Sequence, residues 1–352
     1  MSETASASER LGRHKGGVEI LSVASSLPDK VLSNADLEQM METSDEWIHQ
    51  RTGVKTRRIA DAEKFESTSS MGANAAAKAI ERAGVAFQDI DLVILATCTP
   101  EMQCPSSSCR MMGMLSDRFG ASNAGAFDLV AACSGFVYGL NVAHDLILGG
   151  SYKTILVVGS EHLTSTQEYT TRGRGTAIIF GDGAGAAVLR ATDDPNKGIL
   201  AQRMHSEGRQ WVDLYIPRVE KRDFPNHERA LGDDLPLDVM RMNGRGVFKF
   251  AVSTFSKVIE QTLDHADVDP NEVDHYVCHQ SNVRILDAAR ERFGLPEEKV
   301  AVNISRVGNT SAASIPILFS ELNDGGRVKP GQKVMFVAFG GGLTWASSLW
   351  QI

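Results

Sequence analysis

The sequence predicts an α/β protein built from two similar halves, and three observations support this fold class. The chain has 352 residues, which is enough for about two units of roughly 150 residues each. Short strands rich in Val, Ile and Leu alternate with helical stretches, as expected where strands lie buried between helices. A segment of the first half also recurs in the second half, which indicates an internal duplication.

The repeat is visible at two places with nearly the same spacing. Residues 82–96 align without gaps on residues 265–279, so the second copy lies 183 residues after the first. Residues 152–159 resemble residues 331–338, at a spacing of 179. Each copy of the longer repeat follows a stretch whose apolar residues recur every three or four positions, and each then enters an apolar strand. The predicted helices are Thr68 to Arg82 and Val247 to His265.

The division of the chain follows from the repeat and from shifts in composition. Residues 1–17 are rich in Ser, Ala and Gly and lack the apolar segment of a secretory signal, so we predict a disordered extension. We expect the two halves at residues 18–190 and 242–352. Residues 191–241 contain turn residues and mixed charges, and we interpret them as an inserted loop region near a substrate entrance.

Composition and charge exclude several classes of protein. Hydrophobic residues make up 42% and charged residues 23%, which excludes an intrinsically disordered chain. The net charge of −8 argues against a nucleic-acid-binding protein with a broad basic face. The apolar runs are far shorter than the ~20 residues of a membrane-spanning helix, and the five cysteines contain no C-x-x-C pair that would indicate a zinc site. We therefore predict a soluble, cytoplasmic protein that binds neither nucleic acid nor a membrane.

The first candidate catalytic segment surrounds Cys133. Residues 126–140 are typical of a strand that ends at Cys133 and turns into a helix running to about Leu148. The positive end of a helix macrodipole favours a thiolate over a thiol, so we expect a lowered pKa and a nucleophilic Cys133. A small buried hydrophobe is the alternative, and it is the commoner fate of a free cysteine.

A second candidate, His279, lies where the repeated strand ends and a helix predicted over Val283 to Phe293 begins. Because side chains alternate along a strand, Cys278 should point away from the face that His279 uses and belong to the core. The alternative interpretation is a structural histidine. Two glycine-containing segments complete the set of candidates.

Asn309 follows a glycine in a turn that leads into a helix of small residues. A turn with a helix N-cap is the alternative interpretation of that segment. Three adjacent glycines at 340–342 follow a buried strand, and such a run costs stability unless the backbone must approach something closely. A backbone N–H that stabilises an oxyanion is one such reason, and a plain connecting turn is the alternative.

Together these segments resemble the β-ketoacyl-acyl-carrier-protein synthase III family of the thiolase superfamily, over nearly the whole chain from Val18 on. The ordered set of motifs is specific, although no single motif decides. The resemblance implies a thiolase-like fold of two similar five-stranded halves, stacked as five layers α-β-α-β-α and normally assembled as a homodimer. The motifs are Thr43-Ser-Asp-Glu-Trp-Ile48, Arg51-Thr-Gly-Val54, the Cys133 turn, Arg174-Gly-Thr176, Phe180-Gly-Asp-Gly-Ala-Gly185, His279-Gln-Ser-Asn282, Gly308-Asn-Thr-Ser-Ala-Ala-Ser314 and Phe339-Gly-Gly-Gly342.

The chemistry that the resemblance implies is a decarboxylating Claisen condensation that starts fatty-acid synthesis. Cys133 would take an acyl group from acyl-CoA as a thioester, and malonyl-acyl carrier protein would lose carbon dioxide and attack it to give a 3-ketoacyl product. His279 and Asn309 would hydrogen-bond the malonyl thioester oxygen, while the backbone N–H groups of Cys133 and Gly341 would form the oxyanion hole. This chemistry needs no metal and no redox cofactor.

The resemblance also implies binding residues for coenzyme A. Trp47 and Arg174 match positions that sandwich the adenine, and Arg51 matches a residue that contacts the phosphate portion. Asn282 matches a residue close to the pantetheine arm.

Further matched positions concern the channel and the carrier protein. Phe339 matches an aromatic residue of the channel, and Cys104 stands where many relatives carry a bulky residue at the channel end, which leaves the acyl chain length open. The basic residues that match carrier-protein docking positions are Lys249, Arg284 and Arg290. Each of them has an ordinary solvated charge as its alternative interpretation.

Two other functions stay open at this point. The first is a secondary-metabolism relative, of polyketide or quinolone type, that condenses or transfers acyl groups onto another acceptor with the same Cys-His-Asn set. The second is a non-catalytic partner of the carrier protein, which the retained Cys133 argues against.

Overall fold

The computed structural model describes residues 14–218 and 236–352, which contain thirteen strands and ten α-helices. The strands are β1 (Gly17–Ser26), β2 (Val31–Ser33), β3 (Thr56–Arg58), β4 (Leu92–Ala96), β5 (Gly125–Leu129), β6 (Thr154–Glu161), β7 (Gly183–Thr192), β8 (Gly198–Ser206), β9 (Leu214–Tyr215), β10 (Arg241–Met242), β11 (His275–Cys278), β12 (Lys333–Gly340) and β13 (Thr344–Gln351). The helices are α1 (Asn34–Glu38), α2 (Asp45–Thr52), α3 (Thr68–Ala83), α4 (Ser107–Phe119), α5 (Gly135–Leu148), α6 (Arg174–Ala177), α7 (Gly244–Ala266), α8 (Val283–Arg292), α9 (Ile304–Val307) and α10 (Ser314–Asp324).

Two large sheets carry the fold. The first has the strand order β1-β7-β6-β4-β5, and the second has the order β11-β12-β13-β8. In the first sheet β4 pairs in parallel with β5 and β6, whereas β7 runs antiparallel to β1 and β6. In the second sheet β11 and β12 are parallel, and β13 is antiparallel to β12 and β8.

The two sheets repeat the same pairing register. Leu92 of β4 lies opposite Ile155 of β6. The residues 183 and 179 positions later, His275 of β11 and Val334 of β12, lie opposite each other in the same way. The residue before each of these strands makes an equivalent contact as well. Asp91 accepts a hydrogen bond from the backbone N–H of Thr154 at 2.9 Å, and Asp274 accepts one from Lys333 at 2.8 Å. The sequence repeat therefore corresponds to a structural repeat.

The second sheet differs from the five-stranded half that the sequence comparison implies. Where β5 lies in the first sheet, the second has a single parallel bridge between Tyr276 and Val300. Beyond this bridge the side-chain oxygen of Gln280 accepts the backbone N–H groups of Asn303 and Ile304, at 2.9 and 3.2 Å. The second sheet therefore has four strands where the resemblance implies five.

The predicted inserted loop region, residues 191–241, also contains a strand of the second sheet. β8 pairs with β13 from Gly198 to Ser206, so this segment belongs to the C-terminal half and the prediction is wrong there. An edge of β13 without β8 would leave its backbone groups unpaired. Residues 219–235 lie outside the described residues. The predicted disordered extension, residues 1–17, also lies outside them up to residue 13, but its last residue, Gly17, belongs to β1 and pairs with Thr192. The remaining domain boundaries stay predictions.

The helices form the other layers of the expected α-β-α-β-α stack. Helices α5 and α10 lie between the sheets, where Phe136 and Phe319 join one core cluster with residues from both sheets, such as Ile94 and Phe336. Helices α3 and α4 cover the outer face of the first sheet, and α7 and α8 cover the second. In the part of the chain that the structure describes, no helix combines the length and apolar character needed to cross a bilayer.

Candidate active site

Cys133 lies in the connection between β5 and the buried helix α5. The strand ends at Leu129, four residues earlier than predicted, and residues Ala132–Ser134 form a single 3₁₀ turn before α5 begins at Gly135. The side chain is a free thiol with 6% of its surface exposed. The nucleophile candidate is therefore held at the N-terminal end of a buried helix, with little access to water.

Burial controls the protonation of this thiol. Loss of hydration raises the pKa of Cys133 to about 12, against a hydrogen bond with Ser311 that lowers it, and the nearby carboxyl of Glu161 raises it further. The prediction that the helix N-terminus lowers this pKa is therefore wrong for the free protein, because burial disfavours the charged form more than the dipole favours it. Cys133 is a neutral thiol near pH 7.

His279 directly follows β11 and is buried beside Phe339. Its backbone N–H donates to Val337 at 2.8 Å, and its Nδ1 lies 2.7 Å from the Ser314 hydroxyl. Burial lowers the pKa of His279 to about 3, so the imidazole is neutral at physiological pH. We assign the tautomer in which Ser314 donates to Nδ1, because this leaves the proton on Nε2 as a donor. Cys278 packs in the outer core of the second sheet, as the strand alternation predicts.

Asn309 is fixed by hydrogen bonds on both its backbone and its side chain. Its N–H donates to Ile179 and its carbonyl accepts from Gly181, each at 3.0 Å. Its side-chain oxygen accepts the backbone N–H of Ser311 at 2.8 Å. Because the amide oxygen is engaged, the NH₂ group is the part of the side chain left to serve a ligand.

The glycine run after β12 lies directly against the nucleophile. A Cβ atom added to Gly340 would lie 2.5 Å from the backbone nitrogen of Cys133, and one added to Gly341 would lie 2.9 Å from the carbonyl oxygen of Leu214. No side chain fits at the first position without moving the Cys133 turn. The close approach is therefore the reason for glycine here, rather than a plain connecting turn.

Thr344, which the sequence analysis did not single out, ties the glycine run to the nucleophile turn. Its hydroxyl lies 2.9 Å from the carbonyl oxygen of Ala131, 3.2 Å from the Ser134 hydroxyl and 3.2 Å from the Gly341 carbonyl oxygen. Threonine at a strand start carries no sequence signal for such a role.

A cavity of about 450 Å³ brings the candidates together. Cys133, His279 and Asn309 line it, although they come from three separate connections between elements. Of the other predicted residues, Trp47, Arg51, Asn282, Arg284 and Phe339 also line it. The arrangement joins a thiol, two hydrogen-bond donors and a basic entrance in one largely buried space, which suits acyl transfer followed by stabilisation of a developing oxyanion.

Comparison with known proteins decides the family. Family models described as 3-oxoacyl-[acyl-carrier-protein] synthase III match residues 127–208 and, for the C-terminal part, residues 263–352. A β-ketoacyl-[acyl-carrier-protein] synthase III of Sulfurovum sp. is 42% identical over 329 residues, which cover 93% of this chain and 94% of that protein. This chain belongs to the β-ketoacyl-acyl-carrier-protein synthase III family.

Solved structures agree with this assignment. The 3-oxoacyl-[acyl-carrier-protein] synthase III of Aquifex aeolicus is 40% identical, with a TM-score of 0.85 and coverage of 96% of this chain and 100% of that one. The priming β-ketosynthase of the R1128 polyketide pathway is 31% identical, with a TM-score of 0.84 and 97% coverage of both chains. The thiolase-like fold is confirmed, and the chain is a condensing acyltransferase of fatty-acid biosynthesis. The secondary-metabolism alternative is not favoured, because relatives named β-ketoacyl-[acyl-carrier-protein] synthase III reach 42% identity over most of the chain, against 31% for the polyketide priming enzyme.

The residues that match the coenzyme A site of synthase III cluster around one indole ring. The guanidinium carbons of Arg51 and Arg174 lie 4.8 and 5.2 Å from the centre of the Trp47 ring. Asn282 caps helix α8 by accepting the N–H of Arg284 at 3.0 Å, and its amide donates to the Arg51 carbonyl at 2.8 Å. Asn282 thus connects helix α8 to helix α2, which carries Trp47 and Arg51.

The residues that match carrier-protein docking in synthase III do not all lie together. Arg284 lines the cavity and places its guanidinium 5.6 Å from the Phe248 ring, while Lys249 is exposed on helix α7. Arg290 lines a different cavity of about 780 Å³ and lies 3.7 Å from Asp287. Arg245 lines the catalytic cavity, and sequence reasoning missed it.

Two further predictions concern the channel end and bound groups. Cys104 is exposed, on the loop before α4, and is not among the residues that line the catalytic cavity. Within residues 14–218 and 236–352, His, Cys, Asp and Glu side chains nowhere gather in threes that could hold a metal ion. That this synthase III works without a cofactor stays a prediction.

Proposed function

We propose that this synthase III condenses an acyl-CoA with malonyl-acyl carrier protein through a thioester on Cys133. The products are 3-ketoacyl-acyl carrier protein, carbon dioxide and free coenzyme A, and the reaction starts fatty-acid synthesis. The observation that carries this proposal is the convergence of Cys133, His279 and Asn309 on one cavity from three separate connections.

In the first half-reaction the sulfur of Cys133 attacks the acyl-CoA carbonyl. The S–H bond breaks, a new S–C bond forms, and coenzyme A leaves as a thiolate that solvent protonates. The carbonyl oxygen becomes an oxyanion, and the backbone N–H groups of Cys133 and Gly341 stabilise it. The close packing of Gly340 on the Cys133 nitrogen supports an oxyanion site at this point.

In the second half-reaction malonyl-acyl carrier protein enters and loses carbon dioxide. The electron pair of the broken C–C bond moves toward the thioester oxygen, where charge develops. His279 donates to that oxygen through Nε2–H, and Asn309 donates through its amide. Both donors lie in a buried space, where such hydrogen bonds stabilise charge more strongly than in water. The resulting carbanion attacks the acyl-Cys133 carbonyl and releases the cysteine.

The entrance residues bind the two carriers. Trp47, with Arg174, takes the adenine of coenzyme A by stacking, and Arg51 contacts the phosphate portion. Asn282 lies along the pantetheine arm. Lys249 and Arg284 attract the acidic carrier protein, and Arg290 contributes only at longer range, since it lines a different cavity.

A homodimer in the cytoplasm is part of the proposal. Strand β5 is an edge strand of the first sheet. Phe127 within the strand and Val130 just after it are 39% and 74% exposed. An edge strand with exposed apolar side chains favours pairing with a second chain. Sedimentation equilibrium on the protein tests this part.

The test of the acyl-enzyme is intact-mass spectrometry after mixing the protein with acyl-CoA. We expect one acyl group per chain on the peptide that contains Cys133, and none in Cys133→Ala. Cys278→Ala is the matched control, because that buried thiol faces away from the cavity and should leave the adduct unchanged. An acyl group on another residue in Cys133→Ala would contradict the proposal.

A further inference from the structure

A buried arginine has no part in the steps above. Arg57 is the middle residue of β3 and is fully buried, although arginine is almost never fully buried unless it is paired. Burial lowers the pKa of Arg57 to about 10, so the guanidinium keeps its charge at neutral pH. Its hydrogen-bond partners in the described structure are uncharged oxygens. A buried charge with such partners is costly, and it calls for an explanation.

Three separate segments accept hydrogen bonds from this guanidinium. Nη1 donates to the carbonyl oxygen of Leu32 in β2 at 3.1 Å. Nη2 donates to Oδ1 of Asn34 and to the carbonyl oxygen of Ile178, each at 2.8 Å. Because a guanidinium is planar and presents its N–H groups in a fixed geometry, the three segments are held in a fixed arrangement.

Asn34 extends this contact to helix α2. Its Nδ2 donates to Oδ1 of Asp45 and to the carbonyl oxygen of Val54, both at 2.8 Å. Asp45 is the first residue of α2 and Val54 follows its C-cap, so one amide group contacts both ends of the helix. The helix carries Trp47, whose indole is the proposed stacking surface for coenzyme A. Arg57 is therefore connected to the helix that carries this indole.

The Ile178 carbonyl connects Arg57 to the other side of the cavity. Ile178 follows α6, the helix that begins with Arg174. The next residue, Ile179, lines the catalytic cavity, and its carbonyl accepts the N–H of Asn309 at 3.0 Å. Arg57 thus holds the segment that leads both to the second coenzyme A residue and to the amide donor.

The side-chain stem of Arg57 also packs on the backbone around Asn309. A Cβ atom added to Gly181 or to Gly308 would lie 3.0 Å from the Cβ of Arg57. Gly181 donates its N–H to the Asn309 carbonyl at 3.0 Å, and Gly308 precedes Asn309 with a φ of 70°. The two glycines therefore allow the arginine to approach the backbone that fixes the amide donor.

We propose that Arg57 is a positioning residue that holds the coenzyme A helices α2 and α6 and the Asn309 turn at a fixed spacing. This inference rests on the roles that the proposed function gives to Trp47, Arg174 and Asn309. Each carrier brings its thioester on a pantetheine arm of fixed length, so the entrance residues and the donors in the cavity must keep a constant spacing. A misplacement of about 1 Å costs up to ~100-fold in rate.

The test compares the separate steps of the reaction in Arg57→Lys. Lysine keeps the positive charge, but a single ammonium group does not reproduce the planar donor geometry. We expect the KM for acyl-CoA to rise about tenfold and the decarboxylation of malonyl-acyl carrier protein, measured in a Cys133→Ala background, to slow about tenfold. The single-turnover rate of acylation at saturating acyl-CoA should stay close to that of the unaltered enzyme, because the contacts of Arg57 lead to α2, α6 and Asn309 rather than to the Cys133 turn.

Arg58→Lys is the matched control. Arg58 follows Arg57 in β3, and its guanidinium donates to the carbonyl oxygens of Pro28 and Asp29 at 3.0 and 3.3 Å. Neither carbonyl belongs to a helix that carries a coenzyme A residue or to the Asn309 turn. The control should therefore leave the KM for acyl-CoA and the rate of decarboxylation unchanged.

Two further variants separate positioning from a general loss of stability. Asn34→Ala removes the connection to α2 and leaves the Ile178 contact, so it should raise the KM for acyl-CoA with little change in decarboxylation. Arg57→Lys combined with Asn309→Ala should decarboxylate no more slowly than Asn309→Ala alone, because Arg57 acts on this step through Asn309. A change that only weakens the fold would slow decarboxylation by the same factor in both backgrounds.

The outcomes separate this inference from the proposed function. If Arg57→Lys leaves both the KM and decarboxylation unchanged while Cys133 is acylated, the inference is overturned and the proposed function stands. The same slowing by Arg57→Lys with and without the Asn309 amide would also overturn it. If Arg57→Lys does not fold, as judged by thermal unfolding, Asn34→Ala decides: a raised KM supports the inference and an unchanged KM overturns it. Acylation of Cys133→Ala would instead contradict the proposed function.

Discussion

The hydroxyl of Ser314 lies 2.7 Å from Nδ1 of His279 and fixes which imidazole nitrogen carries the proton. Ser314 is the first residue of α10, the helix buried between the two sheets, so its position is set by the packing of the core. His279 in turn follows a strand of the second sheet. The hydrogen bond thus orients a donor toward the catalytic cavity from two elements that meet at the centre of the molecule.

Loss of this hydrogen bond should impair decarboxylation more than acylation. In Ser314→Ala the buried Nδ1 has no partner and the Nε2–H tautomer is no longer favoured, so we expect decarboxylation of malonyl-acyl carrier protein to slow about tenfold, or ~1.4 kcal/mol. Ser320→Ala on the same helix is the matched control, because that buried hydroxyl contacts Asp324 instead. Equal slowing of both half-reactions would contradict the role of Ser314.

The protonation of His279 makes a prediction about stability. Its pKa of about 3 in the folded protein is below the ordinary value of 6.5 in an unfolded chain. The unfolded chain therefore binds the proton first, and the free energy of unfolding should decrease as the pH falls from about 6.5 toward 3. Denaturation by urea across this pH range measures the effect.

His279→Ala should remove this part of the pH dependence of the free energy of unfolding and leave the part that the carboxyl groups contribute. If the free energy of unfolding of His279→Ala depends on pH as that of the unaltered protein does, burial does not hold His279 neutral.

The closeness of Gly340 to the nucleophile predicts a specific steric effect. In Gly340→Ala the new methyl group would meet the Cys133 nitrogen at 2.5 Å, so the nucleophile turn must move. We expect acylation to fall by at least about tenfold and the protein to lose ~1–3 kcal/mol of stability, as overpacked cores do. Acyl-enzyme formation and thermal unfolding measure these changes.

Gly113→Ala is the matched control, since a Cβ there meets no atom within 4 Å and the residue lies inside helix α4. It should leave acylation unchanged and raise stability by ~0.5–1 kcal/mol. If both alanine variants acylate normally, the glycine run does not position the nucleophile.

The indole of Trp47 should control the affinity for acyl-CoA rather than the chemistry. Trp47→Ala removes the stacking surface and leaves the Arg51 and Arg174 guanidinium groups without the ring they lie against. We expect the KM for acyl-CoA to rise about tenfold with little change in kcat, the scale of one stacking contact. Phe65→Ala is the control, because that side chain is 85% exposed and does not line the cavity. A fall in kcat without a change in KM would contradict the assignment.

Local sequence signals singled out the candidate catalytic residues, and the resemblance to the synthase III family was needed to choose between the alternatives for each. Cys133 and His279 both stand where an apolar strand gives way to a helix, and Asn309 follows a glycine that takes a φ of 70°. The internal repeat likewise predicted two sheets of related layout, because Asp91 and Asp274 occupy the same place in each copy. Signals of this kind depend on residues close together in the chain.

The features that the sequence did not reveal depend on tertiary packing. The raised pKa of Cys133 results from burial by segments distant in sequence, which a helix-terminus argument does not include. Ser314 and Thr344 have the residue types of ordinary core polar groups, and only their contacts distinguish them. The sequence does not predict strand β8, because its edge position leaves seven of its nine residues partly or fully exposed and their burial follows no strict alternation.

The most direct test of the account is the release of carbon dioxide from malonyl-acyl carrier protein as a function of added acyl-CoA. The assay is run with acyl-CoA substrates of increasing chain length, and Cys133→Ala is the control. We predict release that depends on acyl-CoA, matches the 3-ketoacyl product in amount, and disappears in the control. Acylation of Cys133 without coupled release of carbon dioxide would contradict the condensation and indicate transfer to another acceptor.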